Sequence, residues 1–268
     1  AALGRPILLY PVNRDGMTIG VLIAADREGP DRTASSADIK LLGATASQTG
    51  MFLENAALYE DMDAMFLGTL EAITASIDAK DKYTCGHSQR VAQLSQQLAT
   101  AIGLDEKTIR QIQIAGLVHD VGKIGVPESV LCKPGRLTEA EFDLIKQHPE
   151  IGHRILRDIP QLRYVLPGVL YHHERWDGRG YPHGIAGADI PLAARILALA
   201  DSFDAMSSTR TYRSARDRTW VLEEITRSSG TQFDPELAPV FVGLDFTEFD
   251  QLVVEHRADQ ASAHGEAA

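Results

Sequence analysis

Five of the nine histidines of this chain fall in short motifs that leave few folds open to it. In order these are Gly86-His87-Ser88, His119-Asp120-Val121-Gly122-Lys123, His148-Pro149 and His172-His173-Glu174-Arg175-Trp176-Asp177-Gly178-Arg179-Gly180-Tyr181-Pro182. A lone acid follows, Asp201 in Ala200-Asp201-Ser202-Phe203-Asp204. Imidazole with carboxylate is the donor set that suits Mn or Fe; softer metals call for cysteine clusters, and the chain has 2 cysteines. Adjacent residues on a helix diverge by about 100°. His119 and Asp120 therefore converge on one ion only near a helix end, and Gly122 predicts that end. Taken singly, a His-Asp pair is as easily a buried histidine beside a capping acid. Asp201 is less easily explained away, because it sits among apolar neighbours where an unpaired carboxylate is costly to bury.

Composition narrows the class further. The chain has 268 residues, long enough for one large or two modest domains with a real core. No apolar run reaches the ~18–20 residues of a membrane span. Cys85 and Cys132 do not make a disulfide framework, and a reducing cytoplasm is the expected compartment. The net charge of −11 argues against non-specific nucleic-acid binding, though bound metal ions and local Lys or Arg would still admit an anionic substrate. The chain opens without Met inside what reads as a strand, so it is expected to be a piece of a longer protein.

Along the chain, residues 6–12 and 18–26 are apolar and rich in β-branched residues, with Asn13-Arg14-Asp15-Gly16 between them, a hairpin signal. Ser35 or Ser36 can cap a helix over about 37–80. Phe52, Tyr59, Phe66 and Ile73 recur at seven-residue spacing, with Ala56, Leu70 and Ile77 in the alternate seam position and Asp63 interrupting it. Leu70, Ile73 and Ile77 are expected to pack inside the following domain. From residue 86 onward everything reads helical. Asp105 opens a helix expected to end at Gly122, Thr138 with Glu141 forms a capping box, and Pro191 opens a helix through Phe203. The tail from about 257 has the composition of a disordered segment.

The joint occurrence and order of the motifs resemble the HD-GYP family of bacterial cyclic-di-GMP phosphodiesterases, over about Leu67 to Leu244. The hairpin, polar loop and long helix resemble the C-terminal end of a GAF sensory domain. The expected fold is mainly α: an HD-type all-helical metallophosphohydrolase domain preceded by a β-hairpin and a long connecting helix. The expected division is a GAF-like fragment over 1–50, a signalling helix over 51–66, the catalytic domain over 67–248 and a disordered tail over 249–268.

The resemblance implies hydrolysis of cyclic-di-GMP to pGpG, with onward cleavage to GMP left open. Another cyclic dinucleotide, such as a mixed GMP–AMP ring, or a non-hydrolysing receptor are the alternatives. It implies that His87, His119, Asp120 and Asp201 hold one divalent ion, Fe or Mn, and that His148, His172 and His173 hold a second, with Asp120 bridging. Lys123 would neutralise charge on the phosphate, Gly180 and Tyr181 would shape the nucleotide pocket, and Arg210 and Arg213 would bind the second phosphate. Some members add a third ion through a glutamate four residues before the first histidine. Tyr83 stands there, so a binuclear site is expected. Asp204, one turn after Asp201, is either a supporting residue of the site or a solvated cap. His153, His183, His256 and His264 match no ligand position. The expected partners are the cyclic dinucleotide, an upstream sensory module and a second copy of the chain, paired in parallel through the connecting helix.

Overall fold

Residues 7–14 and 17–25 are largely apolar runs on either side of Gly16, whose φ of 75° suits a tight turn. In the computed structural model they form an antiparallel hairpin, β1 (Ile7–Arg14) and β2 (Met17–Ala25), with a register irregularity between Val12 and Asn13. The structure describes residues 7–14, 16–25, 33–80, 86–208 and 216–265. Two compact units divide the chain, residues 1–68 and 69–268.

Helix α1 (Ser36–Lys80) is continuous across that division. Ser35 caps it: the Asp38 amide donates to the Ser35 Oγ at 3.2 Å and Asp38 accepts from the Ser35 amide at 2.7 Å. In the first unit Gly43 and Gly50 of α1 face the hairpin, where a Cβ would meet the Tyr10 ring and the Asn13 carbonyl. Phe52 and Tyr59 are each 72% exposed. In the second unit Leu70 and Ile77 are buried as expected, but Ile73 is 46% exposed and does not join them. Leu70, Thr74 and Ile77 follow a three-and-four spacing that defines the inward face, and Ile73 falls off it.

The second unit is helical: α2 (His87–Ala101), α3 (Glu106–Val118), α4 (Glu128–Leu131), α5 (Glu139–Ile145), α6 (His148–Leu156), α7 (Leu166–Tyr171), α8 (Leu192–Ser207), α9 (Arg218–Arg227), α10 (Leu237–Val242) and α11 (Thr247–Gly265), with short 3-10 turns between. The capping signals hold. Asp105 accepts from the Thr108 amide, and Thr138 and Glu141 form the reciprocal box that opens α5. The expected end of α3 does not hold. The α-helix stops at Val118, and Val121–Gly125 continue as a 3-10 turn. His119 and Asp120 therefore lie in the break between two helical segments, where their side chains are released from the divergence of a continuous helix.

The core is the packing of α2, α3, α7 and α8 on one another, with Val91, Leu94, Leu98, Ile112, Leu197 and Leu199 buried. A fully buried side chain of this size contributes about 1.5–3 kcal/mol. Phe203 of α8 anchors a second cluster, stacked on Phe246 at 4.6 Å and edge-on to Phe241 and Phe249. The cluster reaches one residue past the expected domain end at 248. Phe249 is 2% exposed inside this cluster, and α11 covers Thr247–Gly265 where composition suggests a disordered tail. Among the described residues no helix is long and apolar enough to cross a membrane.

Candidate metal centre

Four helix ends and the middle of a fifth helix converge on one buried point. α2 brings His87 at its first residue, the break after α3 brings His119 and Asp120, α6 brings His148 at its first residue, the end of α7 brings His172 and His173, and the middle of α8 brings Asp201. These residues form two groups, each with ligand atoms within 4.8 Å of one another: Asp120, His148, His172 and His173 in one, and His87, His119 and Asp201 in the other. Asp120 reaches both. Its Oδ1 lies 3.2 Å from His148 Nε2, while its Oδ2 lies 3.4 Å from His119 Nε2 and 3.5 Å from His87 Nε2. Lys123 Nζ sits 2.5 Å from the same Oδ2. Each ligand residue expected from the sequence is therefore placed at this point, and Lys123 beside it. Arg210, Arg213 and Tyr83 lie outside the described residues.

The hydrogen bonds at the far side of each ring fix which nitrogen carries a proton. His119 Nδ1 donates to the Gly116 carbonyl, His148 Nδ1 to that of Ile145 and His172 Nδ1 to that of Val169, at 2.7–2.8 Å. A carbonyl only accepts, so in the neutral rings the Nε2 atoms are lone pairs. His148 Nε2 and His172 Nε2 then face each other at 3.2 Å with no proton to share between them. His87 Nε2, His119 Nε2 and Asp120 Oδ1 are buried without a hydrogen-bond partner. Lone pairs and carboxylates aimed at one another in a dry site are repulsive, and cations between them remove the repulsion. The two clusters fit a binuclear metal site made of nitrogen and oxygen donors.

The titration behaviour of the protein alone has the same cause. Burial opposes charge on His87, but the carboxylates of Asp120, Asp201 and Asp204 around it outweigh that and hold its pKa well above the usual value. Burial also opposes charge on Asp120 and Asp201. Lys123 and His119 around Asp120, and His87 and His173 around Asp201, outweigh it and keep both well below the carboxylate range. At His172 and His173 the nearby carboxylates, Asp120 for both and Asp201 for His173, compensate too little. Burial and the neighbouring rings push His172 down and His173 to about 3, so both are neutral and ready to ligate.

The loop after α7 forms one wall. The Tyr181 ring stacks on His173 at 4.7 Å, and its amide donates to the His173 carbonyl. Gly180 makes this possible, because a Cβ there would lie 2.4 Å from Arg175 N and 2.5 Å from Glu174 Cα. The Tyr181-Pro182 peptide is cis. Glu174 Oε1 accepts from the amides of His183 and Gly184 at 2.7 and 3.0 Å and pins the far limb of the loop. The sequence reading assigns Glu174 no role. The available signal was an acid directly after the paired histidines. Arg90 was missed as well. It lies one turn from His87, as Asp204 lies one turn from Asp201, and that shared spacing was the clue. Asp204 is 1% exposed and bonded to both His87 and Arg90, which excludes the solvated-cap alternative.

The model of the HD-domain family matches residues 71–237. A "Cyclic di-GMP phosphodiesterase" of Thermotoga maritima is 39% identical over 208 residues, 77% of this chain and 55% of that protein. A "3'3'-cGAMP-specific phosphodiesterase 2" of Vibrio cholerae is 35% identical over 248 residues, 89% of this chain and 48% of that protein. The chain spans about half the length of these relatives. The crystal structure of a cyclic GMP-AMP specific phosphodiesterase of V. cholerae superposes with a TM-score of 0.53 at 21% identity, covering 73% of this chain and 52% of the other, a likeness of fold.

Proposed function

This chain belongs to the HD-domain family, and from that premise we propose that it is a metal-dependent phosphodiesterase of cyclic dinucleotides, with cyclic-di-GMP as substrate and pGpG as product. The observation that carries this reading is the meeting of two donor groups at one carboxylate, with Asp120 Oδ1 turned to His148 and Oδ2 to His119 and His87. His87, His119, Asp120 and Asp201 would hold one ion, and His148, His172 and His173, with Asp120 shared, the other. A bound pair of divalent ions supplies a nucleophile from water at neutral pH and draws charge from the phosphate.

The rest is done by the chain's own residues. Hydrolysis adds the water oxygen to phosphorus, breaks one P–O3′ bond and leaves the proton on the departing oxygen, so the ring opens to a linear dinucleotide. Lys123, fixed on Asp120, offers a positive group to the charge that builds on the phosphate. Tyr181 presents an aromatic face beside the donors, carried by the loop through Gly180. Arg210 and Arg213 follow α8 in sequence and would take the second phosphate.

A mixed GMP–AMP ring is the second reading, favoured by the V. cholerae relative named for that substrate. The test is the Mn-loaded chain incubated separately with cyclic-di-GMP and 3′3′-cGAMP, with products separated by chromatography. Faster opening of cyclic-di-GMP is expected. Faster opening of the mixed ring would favour the second reading. Binding of either ring without product, while both ions are present, would refute hydrolysis and leave a receptor.

We read the hairpin and the start of α1 as the end of a GAF-like sensory domain, and infer a parallel homodimer through α1. Its support is the apolar surface of Phe52, Tyr59, Met51, Leu58, Met62 and Met65, all exposed on one helix. Tyr59→Glu should shift the chain to monomer in sedimentation without loss of metal. A monomer in the unaltered chain would refute the pairing.

A further inference from the structure

The metal-facing rings are not all anchored alike. His119, His148 and His172 each donate from Nδ1 to the carbonyl three residues back, at 2.7–2.8 Å. His87 has no such helical carbonyl. It is the first residue of α2, and Gly86 before it caps the helix in the left-handed region at φ 70°. A carboxylate from another helix takes the place of that carbonyl, and the His87 Nδ1 lies 2.7 Å from Asp204 Oδ2.

Asp204 is itself held. Arg90 Nε donates to its Oδ1 at 2.6 Å and Arg90 Nη2 to its Oδ2 at 3.1 Å, a two-pronged grip by a planar guanidinium. Arg90 is 5% exposed, and its Nη1 faces His256 Nδ1 of α11 at 3.2 Å. A guanidinium only donates, so that nitrogen accepts, and His256 Nε2 donates to Gln89 Oε1 at 2.6 Å. The row runs from α11 through α2 to α8 and back to the ring that opens the metal site.

Stability alone is a poor account of this row. A buried ion pair loses about as much in desolvation as it gains, and apolar replacements are often as stable. What it does define is the direction and tautomer of one imidazole. We propose that Asp204 and Arg90 are positioning residues for His87, fixing its Nε2 lone pair on the ion shared with His119 and Asp201. The inference rests on the binuclear reading above. A carboxylate partner also makes the imidazole a stronger donor than a carbonyl does, and loss of such partners weakens metal binding about 10–100-fold.

The experiment titrates Mn(II) alone into the metal-free full chain, by calorimetry and by electron paramagnetic resonance. The unaltered chain should bind two ions with the broadened spectrum of a coupled pair. D204N keeps the size of the side chain and removes its charge. It should weaken one ion by about 10–100-fold and leave the other unchanged, so that the sharp hyperfine pattern of an isolated Mn(II) appears on partial loading. R90K keeps the charge but cannot span both carboxylate oxygens, and should weaken the same ion by a smaller factor. If D204N fails to fold, R90K decides: selective loss supports the proposal, and unchanged affinities overturn it. Two ions bound to D204N with unaltered affinity would overturn it, as would equal weakening of both, the mark of a merely structural role. Fewer than two ions in the unaltered chain would instead overturn the binuclear reading, and this inference with it.

Discussion

Replacing Asp120 by Asn separates the ion pairing of its carboxylate from the bridging role proposed for it. The amide keeps the shape but loses the charge that faces His148 on one side and His119, His87 and Lys123 on the other. Lys123 Nζ is 2.5 Å from Oδ2, and its side chain is 16% exposed. At an effective dielectric constant of about 20, that contact alone has a gross Coulomb energy of about 7 kcal/mol, most of it offset by desolvation. Removing one partner of such a pair costs about 3–5 kcal/mol, because the other charge stays buried. The metal-free D120N chain should therefore be less stable by that order in denaturant unfolding. D120N/K123M removes the stranded charge as well and should recover most of the loss. Metal behaves differently. Neither variant has an anion to share between two ions, so both should lose metal and turnover together. Retention of two ions with more than about a tenth of the activity would refute the bridging role, since a shared anionic ligand cannot be that dispensable. Failure of K123M to rescue stability would refute the electrostatic account.

Lys123→Ala should keep both ions and lower kcat by about 10²–10³, the loss expected when a group acting on transition-state charge is removed; loss of metal, or a change in KM alone, would assign it elsewhere. Gly180→Ala would put a Cβ 2.4 Å from the Arg175 amide nitrogen, against backbone that must move. A cost of about 1–3 kcal/mol is expected, with Tyr181 displaced from His173, a higher KM and unchanged metal content; an unaltered KM would remove the loop from substrate binding. In the metal-free chain, His173 stays neutral down to about pH 3 while the unfolded chain protonates near pH 6.5. Stability should therefore fall as pH drops through that window, by about 2 kcal/mol at pH 5 from this ring. His172 acts in the same sense and His87, whose pKa is raised, in the opposite one. Two lowered rings against one raised leave a net loss toward acid. Denaturant midpoints rising from pH 6.5 to 5 would contradict it.

Where the sequence was legible, residue type alone carried the message. Ligand chemistry restricts the donors to His and Asp, and a hairpin turn or a capping box needs particular residues at fixed offsets, so the donor motifs, Gly16 and the Thr138–Glu141 box could be read locally. Tertiary contact decided the rest. Ile109, Ile112 and Leu117 continue a helical period toward Gly122, yet the α-helix stops at Val118 because the next turn packs against α6. Ile73 keeps the heptad but leaves the buried face set by Leu70, Thr74 and Ile77. Phe249 lies beyond the last of the motifs, and only its meeting with Phe203 places it in this cluster. Arg90 and Asp204 are 114 residues apart, and no local pattern joins them.

At Gly122 the main chain after Asp120 lies directly on that of α6, and a Cβ would fall 1.9 Å from the His148 carbonyl oxygen and 2.5 Å from Gly152 N. Gly152 in turn leaves room for Val169, whose carbonyl anchors His172. The spacing of Asp120 from His148 is thus set by main-chain contact, which hardly varies, rather than by side-chain packing, which does. Such a seam works as a gauge block. Were the two groups to hold ions of smaller radius, the imidazoles would have to turn to meet them, because the main chains at this seam already touch and cannot close further.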